Sequence, residues 1–171
     1  MKSSSSITLL TVAFLSLIFV SCSSNDAQQK FEEEAYSEPS GFTQTDVQGK
    51  IINNNDDADD WRISPFYQSL INIEPAYPNP VTAGDNVYID IYVKGEEIVS
   101  EIQFFYFNEQ HRTVYIPTSI PSNLNGYYQV RIDSGTFTSL NNTPQNAVGL
   151  HRLFISDGNN NLITYGDIKI E

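Results

Sequence analysis

The run Asn86-Val87-Tyr88-Ile89-Asp90-Ile91-Tyr92-Val93-Lys94 alternates without a break. Val87, Ile89, Ile91 and Val93 share one side, and Tyr88, Asp90, Tyr92 and Lys94 share the other. A period of two over that length marks a strand with one face buried. Other stretches have strand composition: Leu70–Glu74, Glu101–Phe107, Thr113–Ile116, Tyr127–Ile132, Leu150–Ser156 and Leu162–Ile170. Turn residues separate them at Ala83-Gly84-Asp85, Lys94-Gly95, Asn125-Gly126, Ser134-Gly135 and Asp157-Gly158-Asn159-Asn160-Asn161. Gly158 and the asparagines can take positive φ, so the last of these predicts a hairpin. Sustained helical periodicity is lacking beyond the N-terminal segment. About seven strands in about 100 residues predict an all-β chain, with an immunoglobulin-like β-sandwich over residues 61–171.

The N-terminus reads differently. Lys2 and a serine-rich start precede an apolar run from Ile7 to Val20. About 14 residues of helix span roughly 20 Å, too short for a hydrocarbon core of about 30 Å. A short apolar run behind a basic residue, ending in small residues, reads as a secretory signal over residues 1–21. The run ends at Cys22, the single cysteine of the chain. Phe19-Val20-Ser21-Cys22 resembles a bacterial lipobox, with Phe19 where leucine is usual. That resemblance implies that Cys22 becomes the first mature residue and carries lipid. The other reading is an ordinary signal peptide cut nearby, which leaves Cys22 as a free thiol. Two or more acyl chains give a stable anchor. Ser23 lacks the aspartate that retains many lipoproteins in the inner membrane, so by that analogy the chain goes to the outer membrane, facing periplasm or cell surface.

Residues 22–60 have the composition of a flexible linker. Ser, Gln, Glu, Gly and Thr dominate their first part, and branched apolar residues are few. Such a segment buries too little apolar surface to offset the entropy of ordering, and a disordered acidic tether is expected. Lys30-Phe31-Glu32-Glu33-Glu34 could form a turn of helix, although an isolated short helix is marginal. Acids soon after the cysteine also resemble, loosely, the surface-export signals of some Bacteroidota lipoproteins. Asn53-Asn54-Asn55-Asp56-Asp57-Ala58-Asp59-Asp60 is rich in oxygen ligands of the kind calcium prefers. It lacks the glycine and glutamate spacing of an EF-hand, and a solvated hinge is the reading preferred over a calcium site. No metal or cofactor is expected. The net charge of −12 opposes phosphate backbones and argues against nucleic-acid binding.

Pro75-Ala76-Tyr77-Pro78-Asn79-Pro80-Val81 resembles the "YPNP" opening of the sorting domains of the type IX secretion system, and of FlgD-type immunoglobulin-like domains. Each proline fixes its own φ and holds its predecessor extended, giving a stiff lead-in to a sandwich. Ile102–Phe107 with Asn108–Val114 resembles that family's central hairpin, with Phe107 or Asn108 replacing its aspartate and Gln110 or His111 its glycine. Gly149–Ile155 and Ile168–Glu171 resemble its last strands. The resemblance implies the sandwich fold and, as an alternative role, a secretion-associated or sorting module.

Signatures of catalysis are missing. The histidines, His111 and His151, each precede an arginine, Arg112 and Arg152, and no Gly-x-Ser-x-Gly or His-Glu-x-x-His pattern occurs. Those pairs could meet as an anion site, but solvent-facing strand edges are the simpler expectation. A non-catalytic chain is therefore expected. Its candidate contact residues are aromatic. Trp61, Phe66 and Tyr67 cluster where the linker meets the domain, either docking the linker or forming an exposed patch. Tyr88 and Tyr92, with Tyr127, fall on outward strand positions. They could bind a protein or glycan, or simply pair across strands.

Overall fold

The computed structural model describes residues 26–94, 101–121, 125–138 and 143–171. The signal segment and Cys22 lie outside them. The strands are β1 (Ile71–Ile73), β2 (Asn86–Val93), β3 (Ile102–Phe107), β4 (Thr113–Ile120), β5 (Gly126–Asp133), β6 (Gly149–Asp157) and β7 (Leu162–Ile170). They form two antiparallel sheets, β1-β2-β5 and β4-β3-β6-β7. The chain changes sheet between β2 and β3, between β4 and β5, and between β5 and β6, which makes the immunoglobulin-like sandwich. Every expected strand is present. β4 runs past Pro117 to Ile120, beyond the Thr113–Ile116 stretch expected from the sequence. It is an edge strand, and Pro117 falls where the β3–β4 register shifts, a place that tolerates the missing N–H.

The inward side chains follow the period-two pattern. Val87, Ile89 and Ile91 of β2 meet Ile102, Phe104 and Tyr106 of β3, with Val130, Ile132, Leu153, Ile155, Ile168 and Ile170 completing the core. The β6–β7 turn is the expected hairpin. Asp157 Oδ1 accepts from the Asn159 and Asn161 amides at 2.9 and 2.8 Å, and Asn160 takes the positive φ. The β3–β4 turn is built the same way. Asn108 Oδ1 accepts from the Gln110 and Arg112 amides, each at 3.0 Å, and His111 adopts φ 54°.

Residues 26–60 differ from the expected disordered tether: they pack on the sandwich as an arm. Helix α1, residues 26–35, lays Gln28, Phe31 and Ala35 against the outer face of the four-stranded sheet. Those positions share one helical face. Phe31 and Ala35 join Phe105, Phe154, Leu162 and Tyr165 in a second apolar cluster. Pairs four residues apart, Gln28–Glu32, Gln29–Glu33 and Lys30–Glu34, support the helix. The composition argument failed because the sheet supplies the apolar partners that the arm itself lacks.

The arm and the segment after it cover the β7 edge. The amides of Trp61 and Ser64 donate to Tyr165 and Ile163 carbonyls at 2.7 and 2.8 Å, and Val81 donates to Lys169 at 2.9 Å. Side chains complete the row: Asp60 Oδ1 accepts from the Asp167 amide, and Asn79 Oδ1 from the Lys169 amide, each at 2.9 Å. An edge strand that would otherwise invite pairing with another chain is thus occupied. Asn79, in the Tyr-Pro-Asn-Pro segment, is fully buried, and its Nδ2 also donates to the Thr43 and Asp167 carbonyls at 2.9 Å.

Candidate functional site

Outward positions of β2 and β5 stand side by side. Tyr92 pairs with Tyr127, Asp90 with Gln129 and Tyr88 with Arg131. Tyr77 from the Tyr-Pro-Asn-Pro segment leans over the middle of this face, its backbone bridged to Tyr88 and its ring 5.9 Å from that of Tyr88. The centre is Asp90. Its Oδ1 accepts from the Tyr127 hydroxyl at 2.7 Å, the Tyr77 hydroxyl at 3.0 Å and Gln129 Nε2 at 3.3 Å. Gln129 Nε2 also donates to the Tyr77 oxygen at 2.7 Å.

The phenols are held as donors. The hydrogen bond to Asp90, with burial second, lifts Tyr127 to about 12. Burial first, then the bond to Asp90, raises Tyr77. The rings of Tyr92 and Tyr127 lie 5.1 Å apart, and they stay 39% and 51% exposed. Among the described residues, Asp90 Oδ2, Gln129 Oε1 and the Arg131 guanidinium make no hydrogen bond or ion pair with another side chain. The face is therefore ordered internally yet keeps acceptors, a donor and open rings toward solvent.

The other candidate residues separate. Trp61 is 5% exposed, with its ring against Gly166 of β7, so it docks the arm and offers no patch. Tyr67 is also buried, and its hydroxyl donates to Asp157 Oδ2 at 2.8 Å. Phe66 alone of that cluster is exposed, at 50%. The sequence pattern could not part them, because a wrapping coil has no fixed period. Tyr77 was missed as a site residue, since a residue between two prolines and a strand shows no facing pattern.

The acidic stretch is not a solvated hinge throughout. Asn53 and Asn54 form a turn with positive φ, and Asp60 is buried. Its Oδ2 accepts from the Thr43 amide at 2.7 Å. Burial, with the charge of Asp167 added, raises Asp60 to about 7. Among the described residues no cluster of His, Cys, Asp and Glu has the arrangement of a metal site.

Arg152 also departs from the solvent-facing expectation. It forms a buried bidentate pair with Asp167, Nε to Oδ1 and Nη2 to Oδ2 at 2.7 Å each. Its Nη1 reaches the Glu34, Ala35 and Ser37 carbonyls at 3.3, 3.1 and 2.8 Å, satisfying the end of α1. His111 and His151 do line one cleft of about 360 Å³ beside Tyr36 and Phe107. Burial lowers the His151 pKa, and its Nε2–H donates to the Ala147 carbonyl at 2.7 Å. With Arg152 paired to Asp167 and Arg112 outside the lining of this cleft, the two His-Arg pairs do not meet as an anion site.

Among the described residues no helix is long and apolar enough to cross a membrane. No family model matches the chain, and no curated protein does. A solved structure described as Northeast Structural Genomics Consortium target SoR45 aligns with 60% of this chain and 89% of its own, at 12% identity and a TM-score of 0.29. A likeness at that level carries no argument.

Proposed function

We propose that this chain is a non-catalytic envelope lipoprotein, held at the outer membrane by lipid on Cys22, whose sandwich binds a protein or glycan partner through the tyrosine face. The observation that carries the reading is the set of phenols ordered around Asp90 beside the open rings of Tyr92 and Tyr127. Cross-strand pairing alone accounts for Tyr92 against Tyr127. It does not account for a carboxylate oxygen that gathers two tyrosine hydroxyls and the Gln129 amide at the middle of the face. Large rigid rings with fixed hydroxyls bind with little loss of side-chain entropy.

The specific residues behind the sorting-domain resemblance have roles within the sandwich and its tyrosine face. Asn79 ties β7 to the arm, and the Tyr77 ring packs over Gly49. The binding reading is therefore preferred to a sorting role.

Two measurements test it. Cys22→Ser, combined with Tyr92→Ala and Tyr127→Ala to remove binding through the face, releases the chain from membranes into the soluble fraction; undiminished retention of that form refutes the anchor. The Cys22→Ser chain with its tyrosines intact is then sedimented with isolated cell envelopes. Tyr92→Ala with Tyr127→Ala lowers its recovery at least about ten-fold, whereas Phe66→Ala does not. Equal recovery of all forms refutes the tyrosine face.

A further inference from the structure

Resting on that reading of the face, we propose that its ligand is an uncharged, hydroxyl-rich glycan. The reasoning begins with charge. The chain carries −12, and the group at the middle of the face is a carboxylate. An anionic polymer would bring like charge onto Asp90. A protein partner would bury Asp90 in an interface core, where charged residues are depleted because a desolvated carboxylate needs a cation. Sugar hydroxyls are neutral donors of the kind Asp90 Oδ2 can accept, and hydrogen bonds to an ionised acceptor are the stronger ones.

The remaining groups suit the same class. Tyr92 and Tyr127 form a continuous apolar step, with rings 5.1 Å apart and inclined at 44°. The C–H face of a pyranose packs on such rings while its equatorial hydroxyls point sideways. Those hydroxyls meet Asp90 Oδ2 and Gln129 Oε1 as acceptors and Arg131 as donor, along the ladder that sets Tyr127, Gln129 and Arg131 at alternate positions of one strand. The Tyr77 and Tyr127 hydroxyls are tied to Asp90 before any ligand arrives. The platform is thus preorganised, and its ordering is not charged against binding.

The test uses the mature chain with Cys22→Ser on an array of neutral hexose and pentose oligosaccharides, with uronic-acid and sulfated oligosaccharides as charged counterparts. Neutral members bind, and calorimetry on the best of them shows affinity reduced about ten-fold or more by Tyr127→Ala and by Asp90→Ala. Tyr127→Phe, which keeps the ring, retains most of it. The variants must melt like the parent, and Phe66→Ala serves as the surface control. Absence of neutral binders, preference for charged members, or indifference to Tyr127→Ala overturns the proposal. If envelope sedimentation still depends on Tyr92 and Tyr127 while no glycan on the array binds, neutral or charged, the partner is a protein: the glycan inference fails and the binding face stands.

Discussion

Replacing Arg152 by methionine tests the principal link between arm and sandwich. The Arg152 and Asp167 side chains are 8% and 2% exposed and meet through two bonds of 2.7 Å. The same guanidinium lies 4.9 Å from the Tyr165 ring centre and holds three arm carbonyls. Methionine keeps the stem but orphans the Asp167 carboxylate beside Asp60. Removing one partner of a buried pair costs about 3–5 kcal/mol. At about 2–4 °C per kcal/mol for a chain of this size, Tm falls by about 6–20 °C. The assay is thermal unfolding of the mature chain with Cys22→Ser, followed by circular dichroism, with limited proteolysis mapped by mass spectrometry. Arg152→Met with Asp167→Leu removes the orphaned charge as well. Exchanging a whole buried pair for apolar groups is often near neutral, so this form recovers most of the lost Tm. It still lacks the clasp on residues 34–37, so cleavage in the arm stays fast. A single Arg152→Met form melting within about 2 °C of the parent, with an uncut arm, would refute the argument.

Other outcomes follow from the same contacts. Gly166→Ala places a Cβ inside the Trp61 ring. Overpacking of that kind costs about 1–3 kcal/mol, and the fluorescence of the single tryptophan reports the displaced ring. Asn79→Ala leaves the Thr43 and Asp167 carbonyls and the Lys169 amide without their partner. At about 1 kcal/mol or more for each, urea unfolding should show a loss of about 3 kcal/mol or more. Asp60 stands at about 7 in the fold against 3.8 for the free group, so the folded chain keeps a proton that the unfolded chain has released. Its contribution to stability therefore falls as pH rises through that window, by at most about 1.4 kcal/mol per pH unit. Asp167 is raised and acts in the same direction; His151 is lowered, so its contribution is lost as pH falls. The difference between the parent and Asp60→Asn in urea midpoints isolates the Asp60 share, and a difference that grows in the opposite direction would contradict it.

The sandwich was legible because its evidence is local. Alternation in β2 and the Asp157–Asn161 turn need only neighbouring residues to be read. The β2 pattern also placed Tyr88 and Tyr92 outward correctly. The arm was not legible, because the groups that order it come from far along the chain. Phe31 rests on Tyr165, Asp60 on Thr43 and Asp167, and α1 ends on Arg152. Judged by its own composition the segment is soluble coil. Trp61 and Tyr67 could be read either as docking the linker or as surface aromatics for a related reason: a wrapping segment shows no periodicity to say which side chains turn inward. Tyr77 reached the site from a proline-rich stretch whose direction depends on its bridge to Tyr88.

The packing of α1 alters what a lipid on Cys22 would do. A loose linker of residues 22–60 would let the body wander about 30–40 Å from its attachment. Helix α1 packs on the sheet from Asp26, and three residues of sequence separate it from Cys22, at most about 10 Å of chain. An attachment there would be a short mooring beside α1, which packs on the outer side of the four-stranded sheet, whereas Tyr92 and Tyr127 occupy the outer side of the opposite sheet. Lipidated as proposed, the molecule would lie with its helical flank to the bilayer and its tyrosines turned toward the aqueous side. Reach would then be set by the thickness of one sandwich rather than by the swing of a leash.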